Sequence, residues 1–103
     1  MKNIAALMKQ AQKMQAQMNQ IQEEMGEKRV EASAGGGMVT AIANGRGELV
    51  AVKIDPEIVK SGDVQMLEDL VLAAVNEARR RSEDMLREAM SRVAGPFSGF
   101  PFV

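Results

Sequence analysis

The chain has 103 residues and a mass of 11.2 kDa, the size of one small domain. It contains neither Cys nor His, which excludes zinc fingers, thiol enzymes and histidine-based enzymes. With 46% hydrophobic and 26% charged residues, its composition is that of a folded protein. No apolar run approaches the roughly 20 residues that cross a bilayer, and the N-terminus lacks the pattern of a signal peptide. We expect a cytoplasmic protein that needs no metal, cofactor or membrane.

The core of such a short chain is small, and all three aromatic residues are Phe within the last seven positions. Oligomerisation is the usual source of extra stability when disulfides and metals are missing, so we expect a homodimer. The Phe, Pro and Gly content of residues 96–103 predicts an irregular tail after a single domain over residues 1–95. The tail docks on the body, docks on a partner or is disordered, and the sequence does not choose between these.

A first helix is predicted from about residue 3 to residue 25. Apolar residues follow one another at alternating steps of three and four from Ile4 to Met25, which is a heptad seam. Gly26 comes directly after the seam, where a left-handed C-terminal cap is expected. Residues 1–22 carry three lysines and no acid.

Three strands are predicted next, over residues 28–33, 38–44 and 48–54. Gly35-Gly36-Gly37 separates the first two strands and Asn44-Gly45-Arg46-Gly47 the last two, which is the turn chemistry of an antiparallel meander. The second and third strands are apolar on both faces, so the sheet needs cover on both sides.

A second long helix is predicted over about residues 64–93, after a single helical turn at residues 56–60. Asp55-Pro56 and Ser61-Gly62-Asp63 are the expected caps. The two long helices measure about 35 Å and 45 Å, whereas the strands span about 20–24 Å, so the helices overhang the sheet. Ala74 and Ala78 lie in the apolar stripe and allow a close backbone approach. The two-faced sheet and this stripe predict the dimer interface at Val39, Ala41, Leu49, Ala51, Ala74 and Ala78.

Catalytic groups are hard to find. Glu23, Glu24, Glu68 and Asp69 are the acids available for acid–base chemistry, but adjacent acids on a helix point to different sides. The glycine run lacks the Lys-Ser/Thr ending of a phosphate-binding loop. We therefore expect no enzyme.

The basic residues of the second long helix have two interpretations. One is a solvated face in which the arginines pair with Glu77, Glu83, Asp84 and Glu88. The other is contact with nucleic-acid phosphates, which needs only suitably placed cations. The absence of Trp and Tyr argues against stacking on single-stranded bases.

Five segments, in this order and at this spacing, resemble the YbaB/EbfC family of bacterial nucleoid-associated proteins. They are residues 8–15 (MKQAQKMQ), the Gly35–Gly37 loop before a strand ending in Asn44-Gly45, Ile54-Asp55-Pro56, residues 66–71 (MLEDLV) and residues 74–78 (AVNEA). The resemblance implies an α+β protomer in the order α-β-β-β-α, with a three-stranded antiparallel meander and two long helices. It further implies an intertwined homodimer, located in the nucleoid, that binds DNA and changes its conformation.

The leading hypothesis is a homodimeric binder of duplex DNA that acts mainly through backbone contacts, with possible roles in nucleoid organisation and gene regulation. From charge and helix geometry, the expected contacts are Lys2, Lys9, Lys13, Arg79, Arg80, Arg81, Arg87 and Arg92. The alternative is a structural adaptor whose helical arms or Phe-rich tail bind a protein partner.

Overall fold

The computed structural model describes residues 3–94 and confirms the α-β-β-β-α order. Lys2 and the tail at residues 96–103 lie outside the described residues. The elements are helix α1 (Ile4–Glu27), strands β1 (Arg29–Ala34), β2 (Val39–Asn44) and β3 (Leu49–Ile54), a short helix α2 (Pro56–Ser61) and the long helix α3 (Val64–Ala94).

The three strands form one antiparallel sheet in the order β1-β2-β3, as the turn residues predict. Gly35, Gly36 and Gly37 have φ angles of 64°, 66° and 96°, a region that residues with a Cβ rarely adopt. The glycine run therefore makes the β1–β2 turn possible. Between β2 and β3 the register is Val39 opposite Ile54 and Ala41 opposite Val52.

A register shift between β2 and β3 breaks the alternation expected for β3. Ala51 lies opposite Ile42 and Leu49 lies opposite Ala43, so Val50 is an extra residue in the pairing. Because directly opposite residues share a face, Leu49 lies on the same face as the buried Ala43, whereas Ala51 lies on the other face. Strict alternation, which the sequence predicts, would put these two residues on one face.

The core lies between α3 and one face of the sheet. Ala74 and Ala78 of α3 pack with Ala32, Val39, Ala41 and Ala43, and each of these side chains is at most 2% exposed. The small side chains let the helix backbone approach the sheet closely. The protomer alone already buries Val39, Ala41, Ala74 and Ala78. These four side chains are therefore not exposed for contact with a second copy.

Helix α1 continues through Gly26 instead of ending there. Its cap is Lys28, whose backbone is extended, and Gly26 has no positive φ. A Cβ on Gly26 would lie 2.5 Å from a guanidinium nitrogen of Arg46, so this position of α1 lies directly against an arginine side chain of the β2–β3 turn. The helix end is held there by a 2.7 Å hydrogen bond from the backbone N–H of Gly45 to the carbonyl of Met25.

The two long helices run antiparallel. Met25 and Ser82 both contact the β2–β3 turn, while Gln17 and Val93 line one cleft further along the molecule. Both helices extend beyond the sheet, and the molecule measures 71 × 22 × 16 Å. The predicted overhang is therefore present, and the N-terminal half of α1 forms an arm.

The caps predicted around α2 are also observed. The Asp55 side chain accepts a hydrogen bond of 2.9 Å from the N–H of Glu57, and Pro56 occupies the first turn. The Asp63 side chain accepts a bond of 3.0 Å from the N–H of Met66 at the start of α3. Polar capping thus fixes where both helices begin.

Candidate nucleic-acid interface

The arm of α1 carries cations without compensating acids. Lys9 and Lys13 are exposed, and no salt bridge holds either of them among residues 3–94. Together with Ala6 and Gln10 they line a shallow groove on the helix surface. No Asp or Glu occurs between residues 4 and 22, so the arm has no acid of its own to reduce its positive potential.

The arginines of α3 are largely engaged with acids of the same helix. Glu77 lies 3.0 Å from Arg80 and 3.4 Å from Arg81, measured between side-chain nitrogen and oxygen atoms. Arg87 lies 2.9 Å from Asp84. These are the short-range pairs that the solvated-face interpretation predicts, although Glu83 and Glu88 form none of them. Exposed pairs of this kind contribute about 0–1 kcal/mol, so phosphates can displace them.

Arg81 has a second contact that the sequence did not indicate. Its guanidinium donates a 2.6 Å hydrogen bond to the backbone carbonyl of Glu31 in β1. The bond ties α3 to the edge of the sheet. Arg81 is therefore partly committed to the fold, which distinguishes it from the other arginines of α3.

Arg79 and Arg92 form no salt bridge within the described residues. Arg92 lines a cleft of about 380 Å³ between α1 and α3, together with Glu24 and Lys28. Sequence reasoning did not place Lys28 and Arg92 at the same cleft. The antiparallel pairing of the helices puts both side chains on its lining, and the charge pattern alone does not reveal this.

The structure does not gather all the predicted cations on one face. Lys9 points to the side of α1 turned away from α3, while Arg80 and Arg87 project from the side of α3 turned away from its buried stripe, at about 100° per residue. Along the antiparallel pair, the cations from Lys9 to Arg80 cover roughly 25–30 Å, at 1.5 Å per residue. The protomer therefore has two basic surfaces, one on the arm and one on α3.

One face of β3 is apolar and uncovered. Helix α3 packs mainly on β1 and β2, so Leu49, Val52 and Ile54 remain 46%, 37% and 40% exposed. We call these three residues the β3 surface. An exposed apolar face on an edge strand is typical of an interaction site.

The turn between β2 and β3 carries a cluster of side-chain hydrogen bonds and an ion pair. The amide of Asn44 donates a 2.7 Å hydrogen bond to Glu48, and Arg46 lies 3.2 Å from the same carboxylate oxygen. The hydrogen bond from Asn44 and the charge of Arg46 lower the pKa of Glu48 below its usual value of 4.5. The hydroxyl of Ser82 donates a 2.7 Å bond to the carbonyl of Asn44. The cluster stabilises the turn.

Comparisons with known proteins place this antiparallel meander with two long helices among DNA-binding proteins. The model of the YbaB/EbfC DNA-binding family matches residues 1–97, and the chain belongs to this family. A nucleoid-associated protein of Moorella thermoacetica is 57% identical over 95 residues, which cover 92% of this chain and 91% of the relative. One of Acetivibrio thermocellus is 52% identical over 99 residues, covering 96% and 88% of the two chains.

The fold has a solved counterpart. The crystal structure of an uncharacterized protein from Helicobacter pylori superposes with a TM-score of 0.66 at 26% identity, and covers 76% of this chain and 90% of that chain. The names of the family and of these relatives describe DNA-binding, nucleoid-associated proteins and no enzyme.

Within residues 3–94, no group of three or more acidic side chains is placed to bind a metal ion. None of the helices in that range combines the length and apolar character that a membrane crossing requires.

Proposed function

We propose that the protein is a nucleoid-associated protein that binds duplex DNA as a homodimer, mainly through contacts with the phosphate backbone. Family membership supports DNA binding. The observation that carries the assignment of the surface is the acid-free arm, on which Lys9 and Lys13 form no ion pair with any of residues 3–94. Arg79, Arg80, Arg87 and Arg92 add contacts from α3, and Lys2 continues the basic sequence of α1.

Contacts of this kind position DNA without identifying its sequence, so any selectivity comes from the shape and deformability of the duplex. The acidic stretch at residues 46–69 repels phosphates and favours DNA on the arm and on α3. In this proposal the dimer also alters the conformation of the duplex that it holds. Roles in nucleoid organisation and gene regulation would follow from that activity.

The homodimer is formed, in this proposal, through the β3 surface. Leu49, Val52 and Ile54 share one face of β3 and are each more than a third exposed, and an edge strand offers backbone groups for pairing with a second copy. Of the six residues predicted for the interface, Leu49 lies on this surface. Ala51 lies on the opposite face of the same strand.

The double substitution Lys9→Ala and Lys13→Ala tests the DNA surface. Affinity for a fluorescent duplex should fall because fewer phosphates are neutralised. Measured at several salt concentrations, the slope of log K against log salt should become less steep by about 0.9 for each phosphate contact that is lost. The reduction in affinity should be similar for duplexes of different sequence. Arg80→Ala with Arg87→Ala should reduce the slope less, since acids of α3 already hold these arginines.

The matched control removes the same charge from other elements. Lys53 lies on the outer face of β3 and Lys60 pairs with Glu57 on α2. Lys53→Ala with Lys60→Ala should leave the slope unchanged. Equal reductions from the two double variants would show that only net charge matters and would reject the arm as the contact surface.

A further inference from the structure

The arm of α1 has an apolar seam that nothing in the described protomer covers. Ile4 and Leu7 are 53% and 52% exposed, although they continue the seam that Met25 ends in a buried position. Met8, beside them, is 60% exposed. Apolar side chains at heptad spacing are typical of a helix that packs against something.

The position where α3 ends limits what can lie next to this seam. Val93 lines the same cleft as Gln17 and Ile21, so the last residues of α3 stand beside the middle of α1. Because the two helices are antiparallel, the chain leaves α3 in the direction of Ile4. The seam from Met14 back to Ile4 therefore begins where α3 ends.

The segment that follows α3 is long enough to run along the seam. Residues 95–103 in an extended conformation reach up to about 30 Å. The stretch of α1 from residue 17 to residue 4 is about 20 Å long. The nine residues contain every aromatic side chain of the protein and no charged side chain.

We propose that the exposed seam of α1 is the docking site for the Phe residues of the same chain's C-terminal segment, Phe97, Phe100 and Phe102. The Phe side chains supply the apolar cover that Leu7 and Ile4 lack. The segment is the favoured occupant because it follows α3 beside the middle of α1, is long enough to run along the seam and carries no charged side chain. Lys9 lies on the far side of α1 and stays open to DNA.

Hydrogen exchange of the full-length protein tests the docking. The triple variant Phe97→Ser, Phe100→Ser, Phe102→Ser should exchange the backbone amides of residues 8–14 at least on the order of tenfold faster than the wild type. Replacing the same three residues by Leu should restore slow exchange, because Leu keeps the apolar contact. Exchange in β2 should be the same in all three proteins. Equal exchange of the arm in the three proteins, or protection that rises with protein concentration, would overturn the proposal.

A disulfide test separates the chain's own segment from that of a second copy. The protein has no Cys, so Leu7→Cys with Phe100→Cys introduces one pair. Mild oxidation should give an intramolecular disulfide in a band of monomer mass on a non-reducing gel. The control pair, Ala5→Cys with Phe100→Cys, places the thiol on the opposite side of α1 and should give little intramolecular disulfide. A disulfide-linked dimer, or equal yields from both pairs, would overturn the proposal. Neither test depends on DNA binding.

Discussion

Asn44 is the residue on which the helices and the sheet converge. It is 6% exposed, its side-chain oxygen accepts bonds from the backbone N–H groups of Arg46 and Glu48, and its carbonyl accepts one from Ser82. No buried polar side-chain atom among the described residues lacks a partner. Because each polar group at this junction has a hydrogen-bond partner, the end of α1, the β2–β3 turn and α3 are held in fixed positions relative to one another.

The lowered pKa of Glu48 makes part of the stability depend on pH. The unfolded chain binds a proton at the ordinary pKa of 4.5, and the folded protein binds it more weakly because Asn44 and Arg46 favour the carboxylate. The contribution of the carboxylate is therefore complete above about pH 4.5 and disappears as the pH falls through the folded-state pKa.

The free energy of unfolding of the wild type should therefore exceed that of the Glu48→Gln variant at pH 7, and the difference should shrink towards pH 3. Urea denaturation of both proteins between pH 7 and pH 3 measures this difference in the free energy of unfolding. Glu23→Gln, at an exposed position of α1, is the control and should change stability by no more than about 0.5 kcal/mol. A difference for Glu48→Gln that is constant with pH would contradict the pKa assignment.

At the scale of elements, the packing of α3 depends on the size of two side chains. Ala74 and Ala78 are fully buried against the sheet, and every other fully buried residue of this cluster except Val39 is also Ala, with larger aliphatic side chains only partly buried around it. At the centre of the core the distance between α3 and the sheet is therefore set by methyl groups, and a larger side chain there would push the layers apart.

Ala74→Leu should lower the free energy of unfolding by about 1–3 kcal/mol, because the added atoms have no space between α3 and β2. Ala73→Leu is a closely matched control, since the adjacent position is exposed and both residues are good helix formers. It should change stability by less than about 0.5 kcal/mol. Urea unfolding measures both, and equal effects would mean that the helix and the sheet are not packed as tightly as the structure has them.

The elements themselves could be predicted because their signals are local. The heptad seam of α1, the glycines around β2 and the Asp-Pro cap of α2 are local patterns, and the observed bounds differ from the predicted ones by at most two positions. The exception is the predicted end of α1 at Gly26. This residue lies inside the helix, against the side chain of Arg46, which is twenty positions away in the chain. Local cap rules cannot detect such a contact.

The candidate site was less predictable, for a similar reason. The ion pairs of Arg80 and Arg87 follow from i,i+3 spacing, but the bond from Arg81 to Glu31 joins residues fifty positions apart. The placement of Leu49 and Ala51 on different faces depends on a bulge that periodicity alone does not reveal. Both faces of the sheet are apolar in the sequence, so the sequence does not indicate which face α3 covers.

At the scale of the whole molecule, the coverage of the sheet is uneven. Helix α3 lies over β1 and β2, which leaves the β3 surface as apolar area beside an edge strand. An 11.2 kDa protomer with so small an aliphatic core gains stability if a second copy covers this area. In such a dimer the two arms belong to one rigid body, and each DNA molecule meets two sets of Lys9 and Lys13.

Val52→Lys should therefore dissociate the dimer, because it places a charge in the middle of the β3 surface where burial without a partner is unfavourable. Sedimentation at micromolar concentration should give about twice 11.2 kDa for the wild type and 11.2 kDa for the variant. Met8→Lys, at an exposed apolar position of the arm, is the control and should leave the dimer intact. The melting temperature of the wild type should rise with protein concentration, and that of the variant should not. A dimer that survives Val52→Lys would place the interface elsewhere. If the variant is monomeric, its DNA affinity should fall as well, since the phosphates neutralised by each particle are halved.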